Sequence, residues 1–250
     1  MTLISTKFFL RRSKMLEFLN EIKQTPDPSS ITAHIPPGFS EPEIEDLLHN
    51  CGVHSLPDEF SQIASRVKNG AVLFWGDTRK CIVLPPFPLS EKTTFDGYVT
   101  EPLHRLLTRD YIIGLVLVHL GAYAVGICQG EKLITSKVGT GLVHGRHKKG
   151  GSSQHRFQRR RENQIREFLD RVCLHLQEQL EPHRQLLNYI AYGGPRQTVL
   201  QLQKRCLFLQ SFEDRVLPLL DVPSPGQRIL ETAVVRIWSS CVIDWHEEYR

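Results

Sequence analysis

The chain contains 250 residues with a mass of 28.7 kDa and a formal net charge of +4 at pH 7. Hydrophobic residues make up 40% and charged residues 23%, which is ordinary for a soluble globular protein and excludes a compositionally biased chain. The length suffices for one large domain or two small ones, and the pattern of elements favours two.

The first domain is expected over residues 1–97 and has an α+β pattern. Ser13 is a candidate N-cap for a first helix, in which apolar residues recur on one face. Ser40 and Glu43 have the spacing of a capping box, which predicts that a second helix begins there. A third helix is expected over residues 58–68.

A β-hairpin is expected after the third helix. Its strands are AVLFW and KCIVL, with a turn at Gly76-Asp77 between them. Residues 90–110 then connect the first domain to the second, and we expect a short helix near residues 103–108.

The segment from Tyr111 to Cys128 carries no formal charge and has the minimum length of a membrane span. It is rich in β-branched residues, and His119, Gly121 and Gly126 interrupt the apolar run. These features favour two buried strands with a tight turn near Gly121, so no membrane association is expected.

The second domain, residues 98–250, alternates strands and helices after this hairpin. An opening hairpin followed by such alternation favours an α/β domain with helices layered on a sheet. The expected elements are strands at 112–118, 123–127, 132–138, 187–192 and 216–220, helices at 155–180 and 226–238, and a helix opened by Pro195. The apolar stripe of the long helix comprises Phe157, Ile165, Phe168, Leu169, Val172 and Leu176.

The six cysteines are far apart in sequence, form no C-x-x-C pair and have no histidine at zinc-ligand spacing. We therefore expect isolated thiols, no metal site, no cofactor and no disulfide. That pattern favours a reducing, cytoplasmic compartment, and the N-terminal residues lack the pattern of a secretion signal.

The basic residues are concentrated in one region. Nine of the 31 Lys and Arg residues fall between Lys132 and Arg161, and none of the 27 acidic residues does. Elsewhere acidic residues outnumber basic ones, so the modest net charge conceals a local site for a polyanion.

Four arginines, Arg156, Arg159, Arg160 and Arg161, crowd the start of the long helix. The helix macrodipole already makes an N-terminus positive, so arginines here reduce helix stability where acidic residues would increase it. Free backbone N–H groups and guanidinium groups together suit a phosphate, which predicts contact with a nucleic-acid backbone. The alternative is a solvated charged surface.

The loop before this helix reads GRHKKGGSSQ over residues 145–154. The glycines from Gly139 onward lack the third position of a dinucleotide fingerprint, and no Gly-Lys-Ser/Thr follows to form an ATPase phosphate loop. The pair Gly150-Gly151 permits close approach of the backbone to a ligand.

The stretch HKKGGSSQHRFQRRRE, residues 147–162, resembles the basic loop and helix in the middle domain of eukaryotic and archaeal class-1 translation release factors. Those factors carry Gly-Gly-Gln, whereas Gln154 lies two residues further on here. The spacing is more similar to the Vms-type family of release-factor-like peptidyl-tRNA hydrolases, whose bacterial members carry Gly-Gly-x-Ser-Gln. Gly150, Gly151, Ser153 and Gln154 match that form.

The resemblance implies a ribonuclease-H-like layered domain that acts in ribosome rescue and quality control. The loop would enter the peptidyl transferase centre of the large ribosomal subunit and release a stalled nascent chain, with Gln154 positioning the nucleophile at the peptidyl-tRNA ester. The implied partners are the large subunit, peptidyl-tRNA and ribosomal RNA, bound by a monomer in the cytoplasm. The RNA-binding residues would be Arg146, His147, Lys148, Lys149, Arg156, Arg159, Arg160 and Arg161.

Other functions remain open from the sequence. The same loop could cleave the tRNA near its CCA end, with His144, His147 or His155 as acid or base. The basic helix could instead belong to a non-catalytic ribosome-binding or RNA-binding module. A metal-dependent nuclease is disfavoured, because the expected central strands contain none of the carboxylates that two metal ions require.

Overall fold

The computed structural model describes residues 3–53, 57, 59–143 and 153–247 of the chain. It divides into unit 1, Met1–Arg109 with Trp238–Arg250, and unit 2, Asp110–Ile237. The strands are β1 (Leu3–Leu10), β2 (Ile31–Ile35), β3 (Ala71–Trp75), β4 (Lys80–Leu84), β5 (Thr93–Asp96), β6 (Ile112–His119), β7 (Ala122–Gln129), β8 (Lys132–Thr140), β9 (Tyr189–Gly193) and β10 (Ser240–Glu247). The helices are α1 (Arg12–Gln24), α2 (Glu41–Asn50), α3 (Glu59–Arg66), α4 (Glu101–Thr108), α5 (Ser153–Leu180), α6 (Arg196–Arg205) and α7 (Gln227–Ile237), with 3₁₀ helices at Glu181–His183 and Leu207–Arg215.

Unit 1 is built around a six-stranded antiparallel sheet in the order β1-β10-β4-β3-β2-β5. Ala71, Leu73 and Trp75 of β3 join one hydrophobic core with α2 and α3. Val72 and Phe74, which point to the opposite face, join a second core with α1 and α4. Both faces of the sheet are therefore covered by helices, and every residue of β3 is buried.

Two of the predicted local features of unit 1 are confirmed and one is wrong. The carboxylate of Glu43 accepts hydrogen bonds from the backbone N–H and the hydroxyl of Ser40, at 2.8 and 2.6 Å, at the start of α2. The β3–β4 hairpin forms as expected. Ser13 does not cap α1, because that helix already begins at Arg12 with Arg11 in the N-cap position.

The last strand belongs to unit 1. β10 lies between β1 and β4 and pairs antiparallel with both. The predicted division into residues 1–97 and 98–250 therefore differs from the structure, in which the chain leaves unit 1 after Arg109 and returns at Trp238. An ion pair at 2.9 Å joins Arg79 to Asp244, 165 residues further along the chain, and contacts of this range leave no local signal in the sequence.

Unit 2 contains a mixed sheet in the order β8-β7-β6-β9, in which only β9 runs parallel to its neighbour. The strand predicted at 216–220 forms only two isolated parallel bridges, Ile190–Val216 and Gly193–Leu220. Helices α5 and α6 share one core on one face of the sheet. On the other face, a side chain at Gly126 would meet Leu230 of α7 at 3.0 Å. The predicted α/β domain is confirmed, and its ribonuclease-H-like layering stays a prediction.

The apolar segment after Asp110 forms the β6–β7 hairpin, as expected. Gly121 in its turn has a φ of 97°, a left-handed conformation that glycine adopts without steric cost. Six consecutive residues in each strand are buried, which explains why neither strand shows the alternation of apolar and polar residues seen when one face is exposed. Among the described residues, no helix is both long enough and apolar enough to cross a membrane.

Cys173 of α5 and Cys206 at the end of α6 form a disulfide, so the expectation that all six cysteines are isolated thiols is wrong. The two residues are 33 positions apart, and packing of α6 beside α5 brings them together. Next to them, the guanidinium of Arg205 donates three hydrogen bonds of 2.7 to 2.9 Å to the carboxylate of Asp170. The free thiols are those of Cys51, Cys81, Cys128 and Cys241.

The disulfide predicts a thiol count and a stability effect. Denatured but unreduced protein should expose four reactive thiols, and reduction should raise the number to six. Closing a loop of 33 residues in the unfolded chain stabilises the fold by about 3 to 4 kcal/mol, so Cys206→Ser should lower the free energy of unfolding by about that amount in a urea titration. Cys51→Ser removes a thiol outside the disulfide and serves as the control. Six reactive thiols before reduction would contradict the assignment.

Candidate functional site

Helix α5 consists of an anchored and a projecting part. The first buried side chain among its described residues is Phe168, and from there Leu169, Val172, Leu176 and Leu180 lie in the core of unit 2. We call residues 168–180 the anchored segment and residues 153–167, of which Ile165 still packs against this core, the projecting segment. At 1.5 Å per residue, the 15 residues before Phe168 extend about 22 Å along the helix axis.

Two glycines allow the end of β8 and the residue after it to pass closely over Tyr123 of β7 and over Phe168 of the anchored segment. A side chain at Gly139 would collide with the ring of Tyr123, and one at Gly141 would lie 2.6 Å from the ring of Phe168. Beyond them, Leu142 is exposed and Val143 packs against the core. The strand that leads into the loop is therefore seated on the same core that holds the helix after the loop.

Polar contacts also join α5 to the sheet. The hydroxyl of Tyr123 in β7 is hydrogen-bonded to Nδ1 of His175, and Lys137 in β8 forms an ion pair with Glu178 at 2.6 Å. Partial burial and the nearby positive charge of Lys137 lower the pKa of His175, and burial raises the pKa of Tyr123. At neutral pH the Tyr123–His175 contact is thus made between uncharged groups.

These anchoring residues were not found from the sequence. Tyr123 and His175 are 52 residues apart, Lys137 and Glu178 are 41 apart, and each pair meets only after the helix packs on the sheet. No local spacing could have indicated them, whereas the apolar stripe of the helix could be recognised from its period.

The predicted RNA-binding arginines lie on the projecting segment. Arg156, Arg159 and Arg160 are exposed, and Arg161 is partly buried. Within the part of the chain that the structure describes, none of the three exposed arginines forms an ion pair. The nearest acidic residue, Glu162, accepts a hydrogen bond from the side-chain amide of Gln158 at 3.0 Å. The described surface of this segment is accordingly open to anions.

The remaining predicted site residues lie mostly beyond what the structure describes. Arg146, His147, Lys148, Lys149, Gly150 and Gly151 fall outside the described residues, as does His144. Ser153, Gln154 and His155 form the first turn of α5, which begins two residues earlier than predicted. Gln154 is therefore carried on the helix, where the first backbone N–H groups have no partner within the helix. This turn contains no acidic residue.

Phe157 is not buried on the apolar stripe of α5, as its position in the helical period predicts. The period of the helix puts it on the same stripe as Phe168, but the side chain is 54% exposed. The reason is its position on the projecting segment, where the face that would be buried further along the helix lies beyond the hydrophobic core. Among the described residues, no three His, Cys, Asp or Glu side chains come together in a group able to hold a metal ion.

Comparison with known proteins gives matches to translation factors. The family model for the Actinobacteria/chloroflexi VLRF1 release factor matches residues 112–242. Peptide chain release factor subunit 1 of Archaeoglobus fulgidus is 25% identical over 247 residues, which cover 88% of this chain and 60% of that protein. The same factor from Thermococcus sibiricus is 28% identical over 175 residues, covering 68% and 42%. The crystal structure of an archaeal translation termination factor, aRF1, shares 20% identity over 91% of this chain and 70% of that one, with a TM-score of 0.42.

The chain thus spans about half the length of the curated relatives that it matches. The matched region of the family model contains the β6–β7 hairpin, the loop with its two glycines and glutamine, and the whole of α5. It is also more than half of the 250 residues. The chain therefore belongs to the Actinobacteria/chloroflexi VLRF1 release factor family, in agreement with the resemblance found in its loop.

Proposed function

We propose that the chain is a ribosome-associated peptidyl-tRNA hydrolase that releases nascent chains from stalled large ribosomal subunits in the cytoplasm. The single observation that carries the proposal is the projecting segment, which presents exposed arginines and has Gln154 in its first turn. Family membership supports a role in translation. The proposed partners are the large subunit, peptidyl-tRNA and ribosomal RNA, and the proposed acting form is a monomer.

The arginines suit a polyanionic surface. A guanidinium group donates several hydrogen bonds and is always charged, so Arg156, Arg159 and Arg160 can hold phosphates of ribosomal RNA or tRNA. We extend this role to Arg161 and to the loop residues Arg146, His147, Lys148 and Lys149. Their combined charge would draw the loop and the start of the helix toward RNA.

Gln154 is proposed to position the nucleophile. A glutamine amide does not titrate near neutral pH, but it offers both a donor and an acceptor, which is sufficient to orient a water molecule toward an ester carbonyl. The reaction adds that water across the ester, so the carboxyl end of the peptide is freed and the tRNA regains its terminal hydroxyl. The water's proton passes to the leaving oxygen through substrate hydroxyls or ribosomal groups.

The start of the helix supplies a second element of this mechanism. The first backbone N–H groups of α5 lack helical partners, so they can stabilise the negative charge that develops on the carbonyl oxygen of the ester. Gly150 and Gly151 would let the backbone approach the tRNA closely, and Ser153 would begin the helix beside Gln154. The alternative reaction, cleavage of the tRNA near its CCA end, leaves a shortened tRNA. The length of the tRNA product therefore distinguishes it from ester hydrolysis.

The first test addresses Gln154. Gln154→Ala should slow peptide release from stalled large-subunit complexes by about 100-fold, because the water loses its orienting group, while binding to those complexes stays unchanged. Gln158→Ala, one turn further along the same helix, is the matched control and should release peptide normally. Gel analysis of the tRNA should show an intact 3′ end. Release by Gln154→Ala at the normal rate would rule out the proposed role of Gln154. A tRNA product that lacks its CCA end would show that the reaction is phosphodiester cleavage and not ester hydrolysis.

The second test addresses the arginines. Replacing Arg159 and Arg160 by Gln should weaken binding to large subunits and lower the slope of log affinity against log salt by roughly two units, about one for each lost phosphate contact. The control is Arg228→Gln, which removes an exposed arginine from α7 on the opposite face of the sheet. It changes the charge by the same amount for each substituted residue. An unchanged slope in the double variant would assign these arginines to solvated surface.

A further inference from the structure

A cavity of about 350 Å³ lies in unit 2 between α6 and the 3₁₀ helix Leu207–Arg215. That volume is at the lower end of the range of small-molecule sites, roughly 300 to 1,000 Å³. The lining includes three apolar and three polar side chains, which are Leu200, Leu209, Val216, Gln203, Lys204 and Glu213. These residues belong to α6, to the 3₁₀ helix or to the position directly after it, so the cavity is separate from the candidate site on α5.

The hydroxyl of Tyr192 ends beside this cavity. Tyr192 of β9 is 2% exposed, and within the described part of the chain its hydroxyl makes no hydrogen bond. Burial raises the pKa of Tyr192 to about 12, and Gln203 and Glu213 are near enough to influence that pKa further, although neither meets the geometry of a hydrogen bond. Both residues line the cavity, so the hydroxyl lies behind its polar wall. Because buried polar groups are nearly always paired, an unpaired one at a cavity indicates a place for a polar atom of a ligand.

Two charged side chains of opposite sign line the same cavity, Lys204 on α6 and Glu213 on the 3₁₀ helix. Among the described residues, neither of them forms an ion pair. The next residue along α6 does, since Arg205 pairs with Asp170 at 2.7 Å. Unpaired charges are common on protein surfaces, and this pair gains significance from the buried hydroxyl next to it.

From this arrangement we infer that the cavity binds a free α-amino acid with an apolar side chain. The ammonium group of the ligand pairs with Glu213 and donates a hydrogen bond to the hydroxyl oxygen of Tyr192. Its carboxylate pairs with Lys204, and its side chain covers Leu209 and Val216. The inference goes beyond the proposed hydrolase and does not depend on it.

The charges select this class of ligand over others. A phosphorylated metabolite brings negative charge, which Glu213 repels, and a polyamine brings positive charge, which Lys204 repels. A purely apolar molecule would leave both charged groups and the Tyr192 hydroxyl without a partner. A zwitterion satisfies all three groups. Contact with the hydroxyl requires the side chain of Gln203 to turn aside, which an unbranched side chain does by changing rotamer.

The test uses the full chain and L-leucine, with binding followed by saturation-transfer NMR. L-Leucine should bind saturably with a Kd of about 1 mM or lower, as expected for a ligand of this size. Two analogues each lack one charge: 4-methylpentanoate has no ammonium group and 3-methylbutylamine has no carboxylate. Each should bind at least about 10-fold more weakly, because one charged group of the cavity then stays unpaired. Glycine, which has no apolar side chain, should also bind more weakly than L-leucine.

Substitutions identify the groups that bind. Lys204→Gln and Glu213→Gln should each weaken L-leucine binding by about 10-fold, and Tyr192→Phe should weaken it by about 5-fold, because each removes one partner of the ligand. Lys132→Gln in β8 and Glu231→Gln in α7 remove exposed charges outside the cavity and are the matched controls. Because Lys204 and Glu213 are exposed, replacing them should leave the thermal unfolding of the chain unchanged.

Three results would overturn the inference. The first is the lack of saturable L-leucine binding up to about 10 mM, and the second is normal affinity in both Lys204→Gln and Glu213→Gln. The third is binding of 4-methylpentanoate as tight as that of L-leucine, which would make the cavity a site for apolar anions. None of these results bears on peptide release by Gln154, so failure of the amino-acid site and failure of the proposed hydrolase are distinguishable.

Discussion

The packing of Phe168, Leu169, Val172, Leu176 and Leu180 against the sheet of unit 2 is the contact on which the rest of the candidate site depends. A helix of about 15 residues is marginal in water without tertiary support, and the projecting segment has arginines where its macrodipole favours acidic residues. Because helix propagation follows a costly nucleus, the anchored segment can supply that nucleus. The projecting segment then extends an existing helix and does not have to start one.

The same packing contact fixes the two elements that flank the loop between β8 and α5. The strand before it passes over Tyr123 and Phe168 through two glycines, and the helix after it is joined to the sheet by the Tyr123–His175 hydrogen bond and the Lys137–Glu178 ion pair. On its other side, α5 is joined to α6 by the Cys173–Cys206 disulfide and the Asp170–Arg205 hydrogen bonds. A functional group carried far from the core can be placed accurately only if the base of its support is rigid, and α5 is held from both sides.

Structural features formed by residues close in sequence were predictable, whereas contacts between residues far apart in sequence were not. The Ser40–Glu43 capping box, the β6–β7 hairpin and the apolar period of α5 are encoded by residues close in sequence, and so is the loop that indicated the family. Phe157 was misplaced because a helical period identifies a face but does not reveal where the sheet beneath it ends. The Cys173–Cys206 disulfide was missed for a related reason, since its formation requires two helices to lie side by side.

The position of β10 has a consequence for the order in which the chain can acquire its structure during synthesis. β1 pairs only with β10 among the described strands, and β10 follows all the other described strands in the sequence. Until β10 is made, the edge of β4 that β10 covers and the whole of β1 lack their hydrogen-bonding partner. Unit 2, inserted between the two portions of unit 1, has all of its strands and helices available earlier. During synthesis, the unit that carries the candidate site can therefore fold before β10 completes the sheet of unit 1.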